Sequence, residues 1–203
     1  AQPNGLANSS GLVGRRYMAQ LATMMQGFNP LRKNDTIFQK TVAINDFYFR
    51  GPRTRYPLGH IQSQGRTHGV MAQTVVPWVP VRDWLAMSED LPREDNRVTI
   101  AGDGRIRLLY RPNNLAAHQM LVKETTRMLH RLGFWKVMTH SHKSKNTTHQ
   151  CGTLCFGTDP RTSVLDPFCR AHDVSNLFVV DASFFPSSAA VNPGLTIVAQ
   201  ALR

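Results

Sequence analysis

The chain has 203 residues, a formal net charge of +11 and a hydrophobic fraction of 41%. That length can bury a sizeable core and suggests one or two domains. No apolar run approaches the ~20 residues of a membrane-spanning helix. The basic residues are scattered in pairs and short groups, so the charge does not predict a nucleic-acid partner.

Three cysteines are too few for a disulfide scaffold. Cys151 and Cys155 are four positions apart and His149 is close by, which raises the possibility of a metal site. These side chains leave zinc short of its usual fourth ligand, and there is no Cys-x-x-Cys pair. We therefore predict no metal. The three cysteines are interpreted as small packing residues with free thiols, which favours a protein of a reducing compartment such as the cytoplasm.

The first 65 residues predict a helix followed by strands. Capping residues precede an apolar pattern that predicts a helix over residues 11–25, and a rough alternation predicts a strand within 36–50. A further strand is expected over 58–64, where His60, Gln62 and Gln64 share one face. These three side chains could line a sugar pocket, but the solvent-facing interpretation is preferred.

The middle of the chain predicts a mainly antiparallel sheet with a covering helix. Strands are expected over 84–88, 97–101 and 106–110, the last two joined by a tight Gly-Asp-Gly turn. Asn113 and Asn114 can cap a helix over about 115–132, which Gly133 ends. A polar loop rich in His and Lys follows over 139–148.

The last forty residues predict an α/β unit. Residues 177–180 form an apolar, β-branched run typical of a strand buried on both faces of a parallel sheet, and the run stops at Asp181. Asn192 is a preferred N-cap type and Pro193 suits the first helical position, so a helix is expected from there. Ligands of open α/β sheets bind beyond the carboxyl ends of strands, which is where Asp181 would lie.

Three stretches together resemble the C-terminal signature of the glucose–methanol–choline (GMC) oxidoreductases, which are FAD-dependent enzymes that oxidise alcohols and sugars. They are HQCGTLCFGTDP from His149, CRAHD with NLFVVDASFFP, and AVNPGLTIVAQAL. Upstream, PNGLANSSGLVGRRYM looks like the segment after the family's FAD-binding half. The resemblance implies a linker and helix near the flavin (1–34), a substrate-binding domain (35–148) and the C-terminal signature (149–203). It also implies that the chain is a fragment lacking most of a Rossmann-like FAD-binding domain.

The resemblance also implies roles for particular residues. His149 would act as general base while hydride passes to the flavin N5, and Asn192 would position the substrate oxygen. Asp181 and Ala182 would contact the cofactor, as would Asn192, Pro193 and Gly194 at the start of the last helix. The expected fold is α+β with an α/β C-terminal part, the cofactor is FAD, and the partners are an alcohol or sugar and the missing N-terminal half.

Each of these roles has a plainer alternative. A histidine in a glycine-rich loop can be structural, Asn192 can be only a helix cap, and Asp181 can cap a turn. His172 and Asp173 are adjacent, so turn structure is preferred to a catalytic dyad. No G-x-G-x-x-G motif is present to cradle a pyrophosphate. The alternative function is a non-catalytic domain that binds carbohydrate or a partner.

Overall fold

The computed structural model describes residues 5–65, 80–141 and 148–203. Within these ranges the chain forms short strands and two α-helices. In chain order the elements are β1 (Met18–Ala19), β2 (Leu21–Phe28), β3 (Ala43–Ile44), β4 (His60–Gly65), β5 (Val81–Ser88), β6 (Arg97–Ile100), β7 (Ile106–Leu109), α1 (Leu115–Arg131), β8 (Lys136–Ser141), β9 (Gln150–Cys151) and α2 (Gly194–Ala201).

The chain divides into two compact units that interleave along the sequence. We call Leu21–Ser88 with Asn114–Lys143 the sheet unit, and Ala1–Gln20 with Glu89–Asn113 and Ser144–Arg203 the C-terminal unit. The three consecutive blocks predicted from the sequence do not follow this division. Their assignment to flavin or substrate remains a prediction.

The sheet unit is an antiparallel sheet with one helix packed on it. The strand order is β3-β4-β5-β2-β8, and every neighbouring pair is antiparallel. The buried positions of α1 are His118, Leu121, Thr125 and Leu129, whose spacing of three and four places them on one stripe. This stripe belongs to a core that includes Met25. An antiparallel sheet with a covering helix, whose end lies within one residue of the expected one, is confirmed. Of the three strands expected in that sheet, only the one over 84–88 belongs to it, because 97–100 and 106–109 form a separate pair.

The opposite face of this sheet carries buried polar side chains. The side chains of His60, Gln62 and Gln64 are only 7%, 4% and 7% exposed, so the preferred solvent-facing interpretation is wrong. Gln26 lies opposite Asp83 in the β2–β5 register, and its Nε2 donates a hydrogen bond to Asp83 Oδ1 at 2.8 Å. Buried polar groups are expected to be paired in this way.

The predicted helix over 11–25 is wrong, because the stretch contains no helical residue and its second half forms β1 and the first part of β2. Leu, Ala and Met favour helices in isolation, but β2 has a hydrogen-bonded strand on each side, β5 and β8. Gly11 and Gly14 have φ values of +69° and +82°, which no α-helix contains. The strand expected within 36–50 is also reduced to β3. Of the loop expected over 139–148, residues 139–141 end β8, and 142–147 lie outside the described residues.

The C-terminal unit contains two small antiparallel pairs, β1–β9 and β6–β7. The β6–β7 pair confirms the predicted hairpin. A second hydrophobic cluster packs the turns that follow β9, and its buried members include Val164, Leu165, Cys169 and Phe184.

The strand predicted over 177–180 does not form in the described structure. This stretch makes an isolated bridge between Phe178 and Arg170, together with backbone bonds to Cys169, Ala171 and Val174. Phe178 is 57% exposed and Val180 is 41% exposed, whereas a central parallel strand would bury both faces. The apolar run is present, but no flanking strands pair with it within the described ranges.

Candidate functional site

The β1–β9 pair brings two distant parts of the chain together. Ala19 pairs with Gln150 and Met18 with Cys151, so Gln20, which follows β1, lies beside His149, which precedes β9. His149 is half-buried and has a φ of +49°, in the left-handed region that few residues other than glycine adopt. Its Nδ1 lies 2.7 Å from Gln20 Oε1.

The carboxamide of Gln20 also reaches the segment before Asn192. Its Nε2 donates hydrogen bonds to the backbone carbonyl oxygens of Ala189 at 2.9 Å and Val191 at 3.0 Å. Gln20 is only 5% exposed. One buried side chain therefore connects the His149 ring to the backbone next to Asn192.

The segment from Ser188 to Val191 has a second anchor on Asp90. The Asp90 N–H donates to Ser188 Oγ at 2.7 Å, and the Ser188 N–H donates to the Asp90 carbonyl oxygen at 3.2 Å. The buried Asp90 carboxylate accepts hydrogen bonds from Tyr110 and from the Asn113 N–H, both at 3.0 Å. Burial, with the Asp90 charge as a smaller cause, raises the pKa of Tyr110, so this phenol remains a donor at any physiological pH.

Asn192 itself is exposed, and it is not the N-cap that the sequence predicts. Helix α2 begins at Gly194, and Pro193 occupies the capping position without a side-chain capping bond. The first helical turn is closed by the bond from the Ile197 N–H to the Pro193 carbonyl oxygen. The start of the helix is therefore one residue later than expected, and the Asn192 carboxamide precedes the cap.

Asp181 caps a short 3₁₀ turn formed by Ala182–Phe184. Its Oδ1 accepts hydrogen bonds from the backbone N–H of Ser183, at 2.8 Å, and from the Ser183 hydroxyl. The turn lies beside the residues that follow His149, because the Gly152 N–H bonds to the Ala182 carbonyl oxygen. The capping role proposed as the plainer alternative is therefore present, and both bonds use the same carboxylate oxygen.

A cavity of about 320 Å³ lies between this turn and β9. Its volume is at the lower end of the range for small-molecule sites, so it has room for part of a dinucleotide cofactor rather than all of it. It combines polar groups with an apolar wall, as such sites do. The lining residues are Tyr17, Val98, Gln150, Cys151, Thr153, Asp181, Ala182 and Ser183.

His172 and Asp173 do not face each other as a dyad would. His172 Nε2 lies 3.0 Å from Ser163 Oγ, whereas the Asp173 carboxylate accepts bonds from the N–H and the hydroxyl of Ser9. The three cysteines are buried free thiols. Across residues 5–65, 80–141 and 148–203 there is no group of three or more metal-ligating side chains. The same ranges contain no helix long and apolar enough to cross a membrane.

Solved structures of two oxidases share this fold. Pyridoxine 4-oxidase from Mesorbium loti superposes with a TM-score of 0.58 at 16% identity, over 94% of this chain and 42% of that one. Formate oxidase from Aspergillus oryzae, in a variant studied for its FAD modification, superposes with a TM-score of 0.57 at 10% identity, over 93% and 46%. Identities this low establish the fold alone.

Sequence comparison establishes the family. The family model described as GMC oxidoreductase matches residues 92–201, just over half of the chain. The chain therefore belongs to the GMC oxidoreductases, as its motifs predicted, and the cofactor of this family is FAD.

Two curated relatives each align with 99% of this chain. Paromamine 6'-oxidase from Streptomyces fradiae is 29% identical, and the match spans 40% of its length. The fructose dehydrogenase large subunit from Gluconobacter japonicus is 26% identical, and the match spans 42% of its length. The chain therefore spans about two fifths of these relatives.

Three residues around the candidate site were not predicted from the sequence. Gln20, Asp90 and Tyr110 lie 129, 59 and 39 positions before His149. The resemblance did place residues 1–34, which include Gln20, near the flavin. No local pattern indicates that the Gln20 amide faces the His149 ring, because that contact depends on the β1–β9 register.

Proposed function

We propose that this chain provides the substrate-oxidising groups of an FAD-dependent oxidoreductase that acts on the CH–OH group of an alcohol or a sugar. One observation carries the proposal: the buried carboxamide of Gln20 connects the His149 ring to the backbone beside Asn192. The cavity that Asp181 lines also includes Gln150, the residue after His149. The relatives support the substrate class, because their names include an oxidase of paromamine and a dehydrogenase of fructose.

His149 is the proposed general base. Removing a hydride from an alcohol carbon requires the loss of the hydroxyl proton, and imidazole is the side chain best suited to take it near neutral pH. With Nδ1 directed at Gln20 Oε1, the other ring nitrogen, Nε2, is the one that accepts this proton. The half-buried position of His149 limits competition from bulk water.

Asn192 is the proposed positioning group for the substrate oxygen. Its carboxamide can donate a hydrogen bond to that oxygen and so hold the reacting carbon in one orientation. The backbone before Asn192 is anchored by Gln20 and by Asp90. A fixed backbone reduces the conformational entropy that the amide loses when the substrate binds.

Asp181 and Ala182 are the proposed cofactor contacts, with Pro193 and Gly194 at the start of α2. Asp181 Oδ2 is not used in the bonds to Ser183, so it can accept a bond from a cofactor hydroxyl. The N-terminus of α2 carries a partial positive charge that favours an anionic ring. When bound, FAD supplies the hydride acceptor.

The remaining part of the cofactor site is proposed to come from an FAD-binding portion of the intact protein outside these 203 residues. The chain contains no G-x-G-x-x-G motif. The apolar residues Phe178 and Val180, more than 40% exposed, are the proposed contact with the sheet of that Rossmann-like portion.

A second candidate is a non-catalytic domain that binds carbohydrate. The buried polar side chains on one face of the sheet unit favour it, because Gln26, Gln62 and Asp83 carry amide and carboxylate groups of the kind that bind sugar hydroxyls. In this case the intact protein would bind a sugar without retaining flavin or reducing it.

Anaerobic flavin reduction in the intact protein separates the two candidates. The alcohol or sugar that bleaches the flavin absorbance is identified first, and the reduction rate is then measured for His149→Ala. We expect a fall of ~10²-fold or more with the flavin still bound. His172→Ala, which removes a histidine bonded to Ser163 and to the Gly157 carbonyl oxygen, is the matched control and should keep the rate within a few fold. Equal rates for wild type and His149→Ala would remove His149 from the reaction.

A further inference from the structure

The orientation of the Gln20 carboxamide is determined by its acceptors. Its Nε2 lies within hydrogen-bonding distance of two carbonyl oxygens, those of Ala189 and Val191. A carbonyl can only accept, so the amide nitrogen and not the amide oxygen must face these two groups. The reversed amide would place three acceptors together in a buried position, which is costly.

The same orientation determines which nitrogen of His149 carries the proton. Gln20 Oε1 is an acceptor only, and it lies 2.7 Å from His149 Nδ1. The hydrogen bond therefore requires a proton on Nδ1, whatever the charge of the ring. In the neutral ring the lone pair is then on Nε2. Without such a partner, a neutral histidine side chain favours the opposite tautomer, with its proton on Nε2.

We infer that Gln20 is a positioning residue, which holds the His149 proton on Nδ1 and thereby makes Nε2 the base. This inference rests on the proposed function of His149. Because the Gln20 side chain is neutral, it sets the tautomer without the charge by which a carboxylate would stabilise the imidazolium. The two bonds to Ala189 and Val191 give the same side chain a second effect, since they hold the backbone that leads to Asn192.

The tautomer can be read directly from the ¹⁵N chemical shifts of the histidine rings in the intact protein. Signals of His149 are assigned by their loss in His149→Ala. In the wild type we expect the protonated nitrogen of the neutral ring to be Nδ1. In Gln20→Leu the ring should change to a mixture in which Nε2–H predominates.

Flavin reduction provides the second readout. Gln20→Leu should slow it by roughly 10²-fold, the scale on which partners that orient a catalytic histidine act. The matched control is Gln200→Leu, because Gln200 Nε2 also donates to a backbone carbonyl, that of Pro167 at 3.0 Å, in the same unit. It should change neither the His149 tautomer nor the reduction rate.

The possible outcomes separate this inference from the proposed function. A wild-type ring protonated on Nε2 overturns the inference without any variant, so it remains testable even if Gln20→Leu does not fold. An Nδ1–H ring that persists in Gln20→Leu also overturns it. If the tautomer changes as expected while His149→Ala reduces flavin at the wild-type rate, the contact is real and the proposed function fails instead.

Discussion

His118 in helix α1 should make the stability of the protein depend on pH. The ring is 7% exposed, with Nδ1 at 2.9 Å from Ser88 Oγ and Nε2 at 2.8 Å from Thr23 Oγ1. The Ser88 hydroxyl donates its proton to the Leu58 carbonyl oxygen at 2.6 Å. Ser88 must therefore accept from Nδ1, and Thr23 must donate to Nε2. This network accommodates a neutral ring and opposes protonation of Nε2.

The size and sign of the effect follow from the pKa of this ring. Burial lowers the pKa of His118 from an ordinary 6.5 to about 4. Between pH 4 and pH 6.5 the His118 ring is therefore protonated in the unfolded state but neutral in the folded state. The free energy of unfolding consequently rises with pH across this range. At 1.36 kcal/mol per pH unit, folding loses about 3 kcal/mol when the pH falls from above 6.5 to below 4.

Urea unfolding measured from pH 7.5 to pH 4 tests this expectation. His118→Gln keeps a polar side chain but cannot titrate, so its unfolding free energy should fall less steeply with acid than that of the wild type. The difference between the two curves should reach about 3 kcal/mol and develop between pH 6.5 and 4. Parallel curves would show that the buried ring is protonated as readily as in the unfolded chain, and would refute the reasoning.

Three further predictions concern the C-terminal unit. Tyr110→Phe removes the hydroxyl that bonds the buried Asp90 carboxylate, and should lower the unfolding free energy by about 1.5–3 kcal/mol in a urea titration. Gly152→Ala should lower the unfolding free energy by about 2–4 kcal/mol, because Gly152 has a φ of +93° and an added Cβ would lie 2.4 Å from the Arg16 carbonyl oxygen. Its control is Gly102→Ala, which should change the unfolding free energy little, because no atom of a residue beyond its chain neighbours lies within 4 Å of the added Cβ. Burial, with the Asp90 charge as a smaller cause, raises the pKa of Cys151 to about 12. Alkylation of Cys151 by iodoacetamide at pH 8, followed by mass spectrometry, should therefore be at least ~10²-fold slower in the folded protein than in the protein unfolded in urea.

Local sequence patterns predicted helix α1 and the β6–β7 hairpin correctly, because the apolar spacing and the turn or capping residues of each indicate the same structure. Helix α1 has a stripe at spacings of three and four, and Gly133 with a φ of +88° follows its end. The β6–β7 hairpin has its turn residues in place. The hairpin contacts lie within β6 and β7. The helix signals are also local, although the stripe itself packs on a core that includes the distant residue Met25.

Local patterns failed where pairing with distant strands decided the structure. Residues 21–25 have helix-forming side chains, yet they form part of β2 between β5 and β8. Residues 177–180 have strand-forming side chains, yet no strand pairs with them in the described ranges. The propensities differ by less than about 1 kcal/mol per residue, which tertiary hydrogen bonding and burial easily exceed.

The candidate site likewise has residues that local motifs predicted and a contact that only the tertiary structure shows. The motifs around His149, Asp181 and Asn192 identified the family from the sequence alone, because they are contiguous stretches of specific residues. The partner of the His149 ring could not be identified, because Gln20 lies 129 positions away and meets it only through the β1–β9 register. Side-chain chemistry is encoded locally, whereas the geometry that selects one nitrogen of an imidazole arises only when the backbone brings distant residues within 3 Å of each other.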